Sequence, residues 1–395
     1  MKNKIKLLLL LIALLEGPLF AQQPAFRKLN NDIISAAKAD SIVTKLMQKG
    51  KVTGLCVSVL NDNQPVYTKA FGFKNSQTKE LIDTATVFYA ASFSKAVFAF
   101  LMMELVQEGT IDLDKPLYQY LEKPLPEYDN YKDLAGDDRW KLLTARMCLS
   151  HTTGFPNWRF LTPNTADYDA NGKLAIYFTP GSRYAYSGEG LTLLQMVIEK
   201  ITGKSLQQLA SEKIFVPVGM SRTAYVWQPS FDTDFADGHD PKEKVLPIKK
   251  RTKANAAGSM ETTIADYTRF IAYVMQGKGL NKQTKAMMLT PQITINSKYQ
   301  FPTITDDTTT SNNNIQLSYG LGWGLFNCKY GHAFFKEGHD DGWRHYGVVF
   351  PDKKTAIIIM TNSANGEGIF KYLLEELIGD TYTPWKWERY TPYNK

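Results

Sequence analysis

Cysteine is scarce in this chain of 395 residues, which contains only Cys56, Cys148 and Cys328. The number is odd, the spacing is wide, and each residue lies in an apolar stretch. Buried free thiols are therefore the expected state, and the fold is not expected to depend on disulfide bonds. One disulfide bond remains open as the alternative at this stage.

The sequence also lacks a strong charge imbalance, internal repeats and a metal-binding motif. Its formal net charge of +7 is too mild to indicate a nucleic-acid partner, so none is expected. The five histidines show no His-Glu-x-x-His spacing, and neither a metal nor another cofactor is predicted. A hydrophobic content of 44% is ordinary for a folded protein and sufficient for a large core.

An unbroken apolar run from Leu7 to Leu15 lies close to the N-terminus. It follows three lysines and precedes Ala21, so residues 1–21 are predicted to be a signal peptide that is cleaved after Ala21. The run is short for a membrane span, and an uncleaved N-terminal anchor is the alternative. Export from the cytoplasm is therefore expected.

Strand patterns occur near both chain ends, and helical patterns lie between them. Strands are predicted at 54–60, 65–71, 317–326, 346–350 and 355–361. The clearest helices are predicted at 33–50, 92–109, 191–203, 205–215, 262–276 and 369–378. This order predicts an α/β (α+β) fold in which an antiparallel sheet from both chain ends is flanked by helices, with a large, mainly helical insertion.

The same pattern divides the chain into four segments. The signal peptide is followed by a linker and helix start at 22–39, one domain at 40–378 and an aromatic tail at 379–395. Within the domain, residues 40–91 and 317–378 form the sheet region, and residues 92–316 form the helical region. A site is expected where the sheet meets the helical region.

Ser92 and Lys95 form the most informative pair of residues. They are three positions apart at the start of an apolar helix, so both side chains fall on one face. A lysine in a partly desolvated pocket can lower its pKa and accept the serine proton, and the helix N-terminus favours an oxyanion nearby. A helix-capping serine with a solvated lysine is the alternative interpretation.

Two further Ser-x-x-Lys matches, Ser35 to Lys38 and Ser76 to Lys79, lie in polar surroundings. Neither precedes a long apolar helix. Chance gives about one or two such matches in a chain of this length. We therefore select Ser92 as the candidate nucleophile on its context and not on the motif alone.

Several stretches, in this order, resemble the serine β-lactamase/penicillin-binding-protein superfamily, closest to its class C β-lactamase and esterase branch. Each is weak alone, and together they extend over about residues 40–375. The stretches are ASFSK (91–95), ELVQEG (104–109), LSHTTG (149–154), PG to YS (180–187), PVGM (217–220), AAGS (256–259), YGLGW (319–323) and GH to P (338–351).

The resemblance implies a Tyr-x-Asn element, for which Tyr186 is the candidate. The position that the family gives to asparagine is here Gly188. A literal match at Tyr128 lacks the following helix and is set aside, and Tyr184 is a close competitor. The family also has Lys or His, then Thr, then Gly, on a strand beside the serine. We assign this third element to residues 339–342, where His339 fits the pattern.

The resemblance implies a serine hydrolase. Together with the predicted signal peptide, it implies that the enzyme is exported to the periplasm or secreted, in a bacterial envelope. Ser92 attacks a carbonyl, Lys95 and Tyr186 share the proton, and an acyl-enzyme forms. The predicted oxyanion site lies between the backbone N–H groups of Ser92 and Gly342, and His339 orients the substrate.

The expected partner is a small-molecule or peptide substrate with an ester or amide bond. Carboxylesterase, D-amino-acid peptidase and β-lactamase activities are the candidate reactions, in that order. Gly188 and the carboxylates of Asp340 and Asp341 make an anionic β-lactam the least favoured substrate. Alternatives are a weakly catalytic or non-catalytic penicillin-binding sensor of the cell wall and a structural relative. An association with the cell envelope is also expected, and the oligomeric state stays open.

Overall fold

A computed structural model describes residues 24–165 and 167–395. The predicted signal peptide, residues 1–21, lies outside the described residues. Within the described ranges, no helix combines the length and the apolar character needed to cross a membrane.

One antiparallel sheet of eight strands organises the molecule, with the strand order β4-β3-β12-β11-β10-β9-β8-β7. Two small sheets pair β1 with β2 and β5 with β6. The strands are β1 Ala25–Arg27, β2 Ile33–Ser35, β3 Gly54–Asn61, β4 Gln64–Gly72, β5 Phe88–Tyr89, β6 Glu261–Thr262, β7 Ile293–Thr294, β8 Ser318–Tyr319, β9 Gly324–Cys328, β10 Gly331–Asp340, β11 Trp343–Phe350 and β12 Thr355–Thr361.

Helices cover both faces of the large sheet. They are α1 Ala36–Gly50, α2 Phe93–Gln107, α3 Ala145–Leu149, α4 Gly188–Thr202, α5 Leu206–Ala210, α6 Val216–Val218, α7 Ile264–Met275, α8 Lys282–Leu289, α9 Glu367–Leu377 and α10 Trp385–Glu388. On one face α1 and α9 pack against Ile357 and Ile359, and on the other α2 and α7 pack against Ile358 and Met360. Because both faces are covered, β12 is apolar at successive positions.

The predicted fold class is confirmed: the strands of both chain ends form one antiparallel sheet with helices around it. The hairpin between β3 and β4 is confirmed as well. Asp62 and Asn63 both have positive φ (51° and 63°), as a two-residue hairpin turn requires. The three cysteines are free, with Cys56 and Cys148 buried and Cys328 half-buried.

Two predictions near the chain ends are wrong in detail. Residues 33–35 form β2 and not the first turn of a helix, because they pair with β1 and Ser35 caps α1. Residues 317–326 form two strands with a turn between them, in which Gly322 has a φ of +87°. A side chain there would place its Cβ only 2.1 Å from Cβ of Ala99 in α2, so the turn packs directly on that helix.

Strand β10 has no counterpart among the predicted strands. Its sequence, GHAFFKEGHD, does not alternate between apolar and polar residues, because Phe334 and Phe335 are both buried on opposite faces. Lys336 and Glu337, in the middle of the strand, are also buried. Charged residues in a sequence usually indicate an exposed segment. In β10, however, both charged residues lie inside the protein.

Candidate active site

A tight turn delivers Ser92 to the start of α2. Ala91 has a φ of +46°, a conformation that an alanine rarely adopts. Ser94 Oγ donates to the Ala91 carbonyl at 2.6 Å and accepts from the Met260 N–H at 3.0 Å, which holds the turn in place. Ser94 is fully buried, whereas Ser92 is partly exposed in the cavity described below.

Lys95 lies one helical turn after Ser92, as predicted. Its Nζ is 2.9 Å from Ser92 Oγ and donates to the Ala257 carbonyl at 2.5 Å. The side chain is almost completely buried. Burial lowers the pKa of Lys95 well below its usual range, and the nearby Lys336 lowers it further, while Glu337 opposes this shift.

The loop that precedes β6 keeps the Ala257 carbonyl in position for Lys95. Asn255 Oδ1 accepts from the Ala257 N–H at 2.8 Å, and the Asn255 N–H donates to Ser259 Oγ at 2.8 Å. Tyr89 Oη donates to the Gly258 carbonyl at 2.6 Å. The AAGS stretch of the sequence therefore acts through its backbone.

Tyr186 joins Ser92 and Lys95, as the sequence predicted. Its buried ring lies with its centroid 4.9 Å from Lys95 Nζ and 4.9 Å from Lys336 Nζ. Lys336 donates to its hydroxyl at 3.2 Å. Burial raises the pKa of Tyr186 well above its usual range, and the Glu337 carboxylate raises it further, while a hydrogen bond with Ser92 lowers it.

His151 holds the segment that carries Tyr186. Its Nδ1 accepts from the Ser187 N–H at 3.1 Å, and its ring packs against that of Tyr186 with centroids 4.5 Å apart. Burial lowers the pKa of His151 well below its usual range, and Lys336 and Lys95 lower it further. The residue is therefore a neutral support for the tyrosine.

The basic residue beside Tyr186 is Lys336, a residue that the sequence analysis did not select. Residues 336–338 read Lys-Glu-Gly on β10, which matches the family's Lys-x-Gly pattern with glutamate in place of threonine. The assignment of this element to residues 339–342 is therefore wrong in register. The Lys-x-Gly spacing was the available signal, but it went unused because β10 was not predicted.

His339 and Gly342 lie in different positions relative to the cavity. His339 lines the cavity with a half-exposed side chain, and its Nδ1 is 3.5 Å from a Glu367 carboxylate oxygen. Gly342 faces the loop at Gly238 and His239, and within the described ranges it is not among the residues that line the cavity.

The β10 backbone approaches the serine turn closely at Gly338. An added Cβ there would lie 3.0 Å from the Ala90 carbonyl oxygen and 2.9 Å from His345 Cδ2. His345 is itself buried, with Nε2 2.7 Å from the Tyr89 carbonyl, so it supports the turn from below. Glycine is needed at position 338 because strand and turn approach so closely.

Trp158 occupies the space of the asparagine that the family pattern leads one to expect at position 188. A Cβ at Gly188 would lie 2.8 Å from its ring and 2.9 Å from the Asn157 carbonyl oxygen. Asn157 Oδ1 also accepts from the Gly188 N–H at 3.1 Å. Where the family pattern has asparagine, this protein therefore has the Trp158 ring. The ring covers Lys95, with its centroid 6.0 Å from Nζ.

These side chains open into a cavity of about 690 Å³. Its lining includes a set of apolar side chains, here called the apolar wall, and a set of carboxylates, here called the carboxylate wall. The apolar wall contains Trp158, Phe160, Leu161 and Phe301, and the carboxylate wall contains Glu337, Asp340, Asp341, Glu367 and Glu388.

A sequence model of the beta-lactamase family, described as "Beta-lactamase", matches residues 39–378. Because the match covers more than half of the chain, the protein belongs to this family. The resemblance identified in the sequence is thereby confirmed.

Two curated relatives and one solved structure illustrate the distance to known proteins. Unguisins hydrolase ungD of Aspergillus violaceofuscus (strain CBS 115571) is 23% identical over 81% of this chain and 60% of its own length. Penicillin-binding protein 4* of Bacillus subtilis (strain 168) is 22% identical over 80% of this chain and 70% of its own. The octameric penicillin-binding protein homologue from Pyrococcus abyssi superposes with a TM-score of 0.69 at 21% identity, over 89% of this chain and 79% of its own.

The chain thus spans 60% and 70% of the lengths of these two relatives. The structural likeness establishes the fold.

Proposed function

We propose that the protein is a serine hydrolase that cleaves an ester or amide bond through an acyl-enzyme on Ser92. The observation that carries this proposal is the 2.9 Å contact between Ser92 Oγ and the buried Lys95 Nζ. Burial and the lowered pKa favour the neutral form of Lys95, and a neutral amine can accept the serine proton.

The direction of the pKa shifts indicates which of Lys95 and Tyr186 acts as the base. From the sequence, Lys95 and Tyr186 are expected to share the serine proton. Burial instead raises the pKa of Tyr186 and lowers that of Lys95, which favours Lys95 as the base and Tyr186 as a neutral donor. After Ser92 attacks the carbonyl, Tyr186 donates its proton to the leaving group and recovers one from the protonated Lys95.

Backbone N–H groups stabilise the oxyanion in this scheme. The Ser92 N–H lies at the N-terminus of α2, where the helix dipole favours negative charge. The second donor is proposed to come from the β10 backbone beside Gly338, in place of Gly342. Water then hydrolyses the acyl-enzyme with Lys95 and Tyr186 in the reverse roles.

The cavity favours an ester or a peptide-like amide over an anionic β-lactam. Trp158 fills the position from which an asparagine amide would contact the substrate, and the carboxylate wall repels a substrate carboxylate. Export to the periplasm or the medium and contact with the cell envelope remain part of the proposal.

A slowly acylating sensor of cell-wall fragments is the second candidate. The same replacement of asparagine by Gly188 and Trp158 supports it, because a poorly contacted acyl group is hydrolysed slowly. Steady-state turnover of a short-chain p-nitrophenyl ester separates the two, measured beside a chromogenic cephalosporin with Ser92→Ala as the control. Ester turnover that depends on Ser92 and exceeds cephalosporin turnover supports the hydrolase. A single burst of product without turnover supports the sensor, and turnover retained in Ser92→Ala contradicts both.

A further inference from the structure

The C-terminal tail forms part of the wall of the active-site cavity. Its short helix α10 ends at Glu388, which lines the cavity together with Arg389 and Tyr390. The Gln300 N–H donates to the Trp387 carbonyl at 2.9 Å, and Trp387 Nε1 donates to Ser297 Oγ at 3.2 Å. The residue directly before Glu388 is therefore anchored to residues 297 and 300.

Glu388 differs from the neighbouring carboxylates Glu337 and Glu367 because its carboxyl group has no hydrogen-bond partner among the described residues. Only 5% of the residue is exposed, and neither carboxylate oxygen has a hydrogen-bond partner among the described residues. By contrast, Glu337 accepts from Lys336 at 2.7 Å and from Gln300 at 2.9 Å. Glu367 accepts from Arg344 at 2.9 Å.

Burying a carboxyl group without a hydrogen-bond partner costs free energy, so its presence in the cavity wall needs an explanation. Burial raises the pKa of Glu388 well above its usual range, and Glu337 and Glu367 contribute in the same direction. An interaction with the Tyr346 hydroxyl opposes that shift, although neither this hydroxyl nor the Glu388 carboxylate has a partner by hydrogen-bond geometry in the described ranges. Lys336 also opposes it, although its ammonium already binds Glu337 and Tyr186.

The charges around the cavity favour a cation as the missing partner. Five carboxylates line it, whereas the cationic side chains in its lining are Lys95, whose pKa is depressed, and the exposed Arg389. No group of three or more His, Cys, Asp or Glu side chains in the described part of the chain is arranged to hold a metal ion. An organic ammonium group satisfies a single unpaired carboxylate better than a metal ion does.

We propose that Glu388 is the anchor of an ammonium-binding subsite, and that the preferred substrates carry a protonated amine beside the ester or amide bond that Ser92 attacks. Glu337, which contacts Lys336 and lies close to Tyr186, extends the same negative surface toward the reacting groups. This inference rests on the proposed hydrolase function. It adds a substrate class, amino-acid or amino-acyl derivatives with a free amine.

The test compares two substrates that differ in one charge. An amino-acid p-nitroanilide with a free amine is measured beside its N-acetylated counterpart, and kcat/KM is determined for both. We expect the wild type to prefer the free amine by at least about tenfold, the size of one charge-assisted contact. Glu388→Gln should reduce this ratio to near one, because the amide keeps the shape and removes the charge.

Glu376→Gln is the matched control. Glu376 is exposed on α9 and is not among the residues that line the cavity in the described ranges, so this substitution should leave the ratio unchanged. The inference is overturned if the wild type shows no preference for the free amine, or if the preference persists in Glu388→Gln. Labelling of Ser92 by a fluorophosphonate probe checks that each variant is folded.

A second measurement separates this inference from the proposed function. Calorimetric titration of Ser92→Ala with benzylamine, and with benzyl alcohol as the neutral counterpart, reports binding without turnover. Amine binding that the alcohol does not reproduce, and that disappears when Glu388→Gln is added, supports the subsite even if no hydrolysis is found. Equal binding of the two compounds overturns the subsite and leaves the proposed hydrolase untouched.

Discussion

The segments that begin at Ser35 and Ser92 share the Ser-x-x-Lys motif but differ in backbone geometry and in helix capping. Each serine is the N-cap of a helix of 15 residues, and each is followed three positions later by a lysine. At Ser35 the backbone is extended (ψ 149°), and Oγ accepts from the Lys38 N–H at 3.2 Å. At Ser92 the backbone is helical (ψ −2°), and the side chain makes no capping bond.

The two helices explain the difference. Helix α1 is amphipathic and leaves Lys38 in solvent, whereas α2 is buried from Phe93 to Leu105. A lysine on a helix without a solvent-facing side must lie inside the protein, where its ammonium is disfavoured and its Nζ meets the serine hydroxyl. The comparison indicates that the surroundings of a Ser-x-x-Lys pair, and not the pair itself, create a nucleophile.

The largest difference between the segments is expected on removing the two serine hydroxyls. Ser92→Ala should reduce ester turnover by roughly 10³-fold or more, because the acyl acceptor is lost. Ser35→Ala should leave turnover unchanged. Covalent labelling by a fluorophosphonate, located by peptide mass spectrometry, checks both variants. Labelling that persists in Ser92→Ala would contradict the assignment of the nucleophile.

The second comparison concerns the lysines. Lys95→Met should lower turnover by about 10²- to 10⁴-fold through loss of the base, and Lys38→Met should have no effect. Because the folded protein lowers the pKa of Lys95, kcat/KM should rise with pH through that lowered pKa and then level off as the amine becomes neutral. A pH–rate profile measures this. If kcat/KM rises only near the usual pKa of lysine, a neutral Lys95 is not the base.

The neighbouring tyrosines provide a smaller contrast. Tyr186→Phe removes the hydroxyl that contacts Lys336 and should lower kcat by about 100-fold, because proton delivery to the leaving group is lost. Tyr184→Phe should stay near the wild-type rate, since its hydroxyl has no hydrogen-bond partner in the described part of the chain. Steady-state kinetics on the same ester decide between them. Equal losses in both variants would point to a packing effect.

The smallest expected effect concerns stability, and here Ser35→Ala is the variant that should be affected. Ser35→Ala removes a capping bond and should lower the free energy of unfolding by about 1 kcal/mol. Ser92→Ala breaks no capping bond and should not destabilise the protein in this way. Urea denaturation followed by circular dichroism measures both. A loss at Ser92 as large as that at Ser35 would mean that the Ser92 hydroxyl contributes to helix stability after all.

Local features could be predicted because their causes are local. Ser92 and Lys95 are one helical turn apart, so their proximity follows from helix geometry alone. The turn at Asp62 and Asn63 follows from residues that accept positive φ between two strand patterns. Helix α9, predicted at 369–378, is observed at Glu367–Leu377, since its apolar periodicity is strong.

The third element of the site could not be placed correctly for a physical reason. Lys336 and Tyr186 are 150 positions apart, and they meet only because β10 passes beside the start of α4. Both faces of β10 are buried, so its sequence shows no alternation from which a register could be deduced. The resulting error of three residues transferred the predicted roles to His339 and Gly342.

The candidate nucleophile, its lysine neighbour, the candidate tyrosine and a sheet built from both chain ends with a helical insertion could therefore all be predicted from the amino-acid sequence. These depend on helix geometry, turn chemistry and apolar periodicity, which act over a few residues. Three further contacts could be seen only in the folded protein: Lys336 contacts Tyr186, Trp158 fills the place beside Gly188, and Glu388 of the tail lines the cavity. Those contacts join distant segments, and the burial that shifts the pKa values exists only once the segments have packed together.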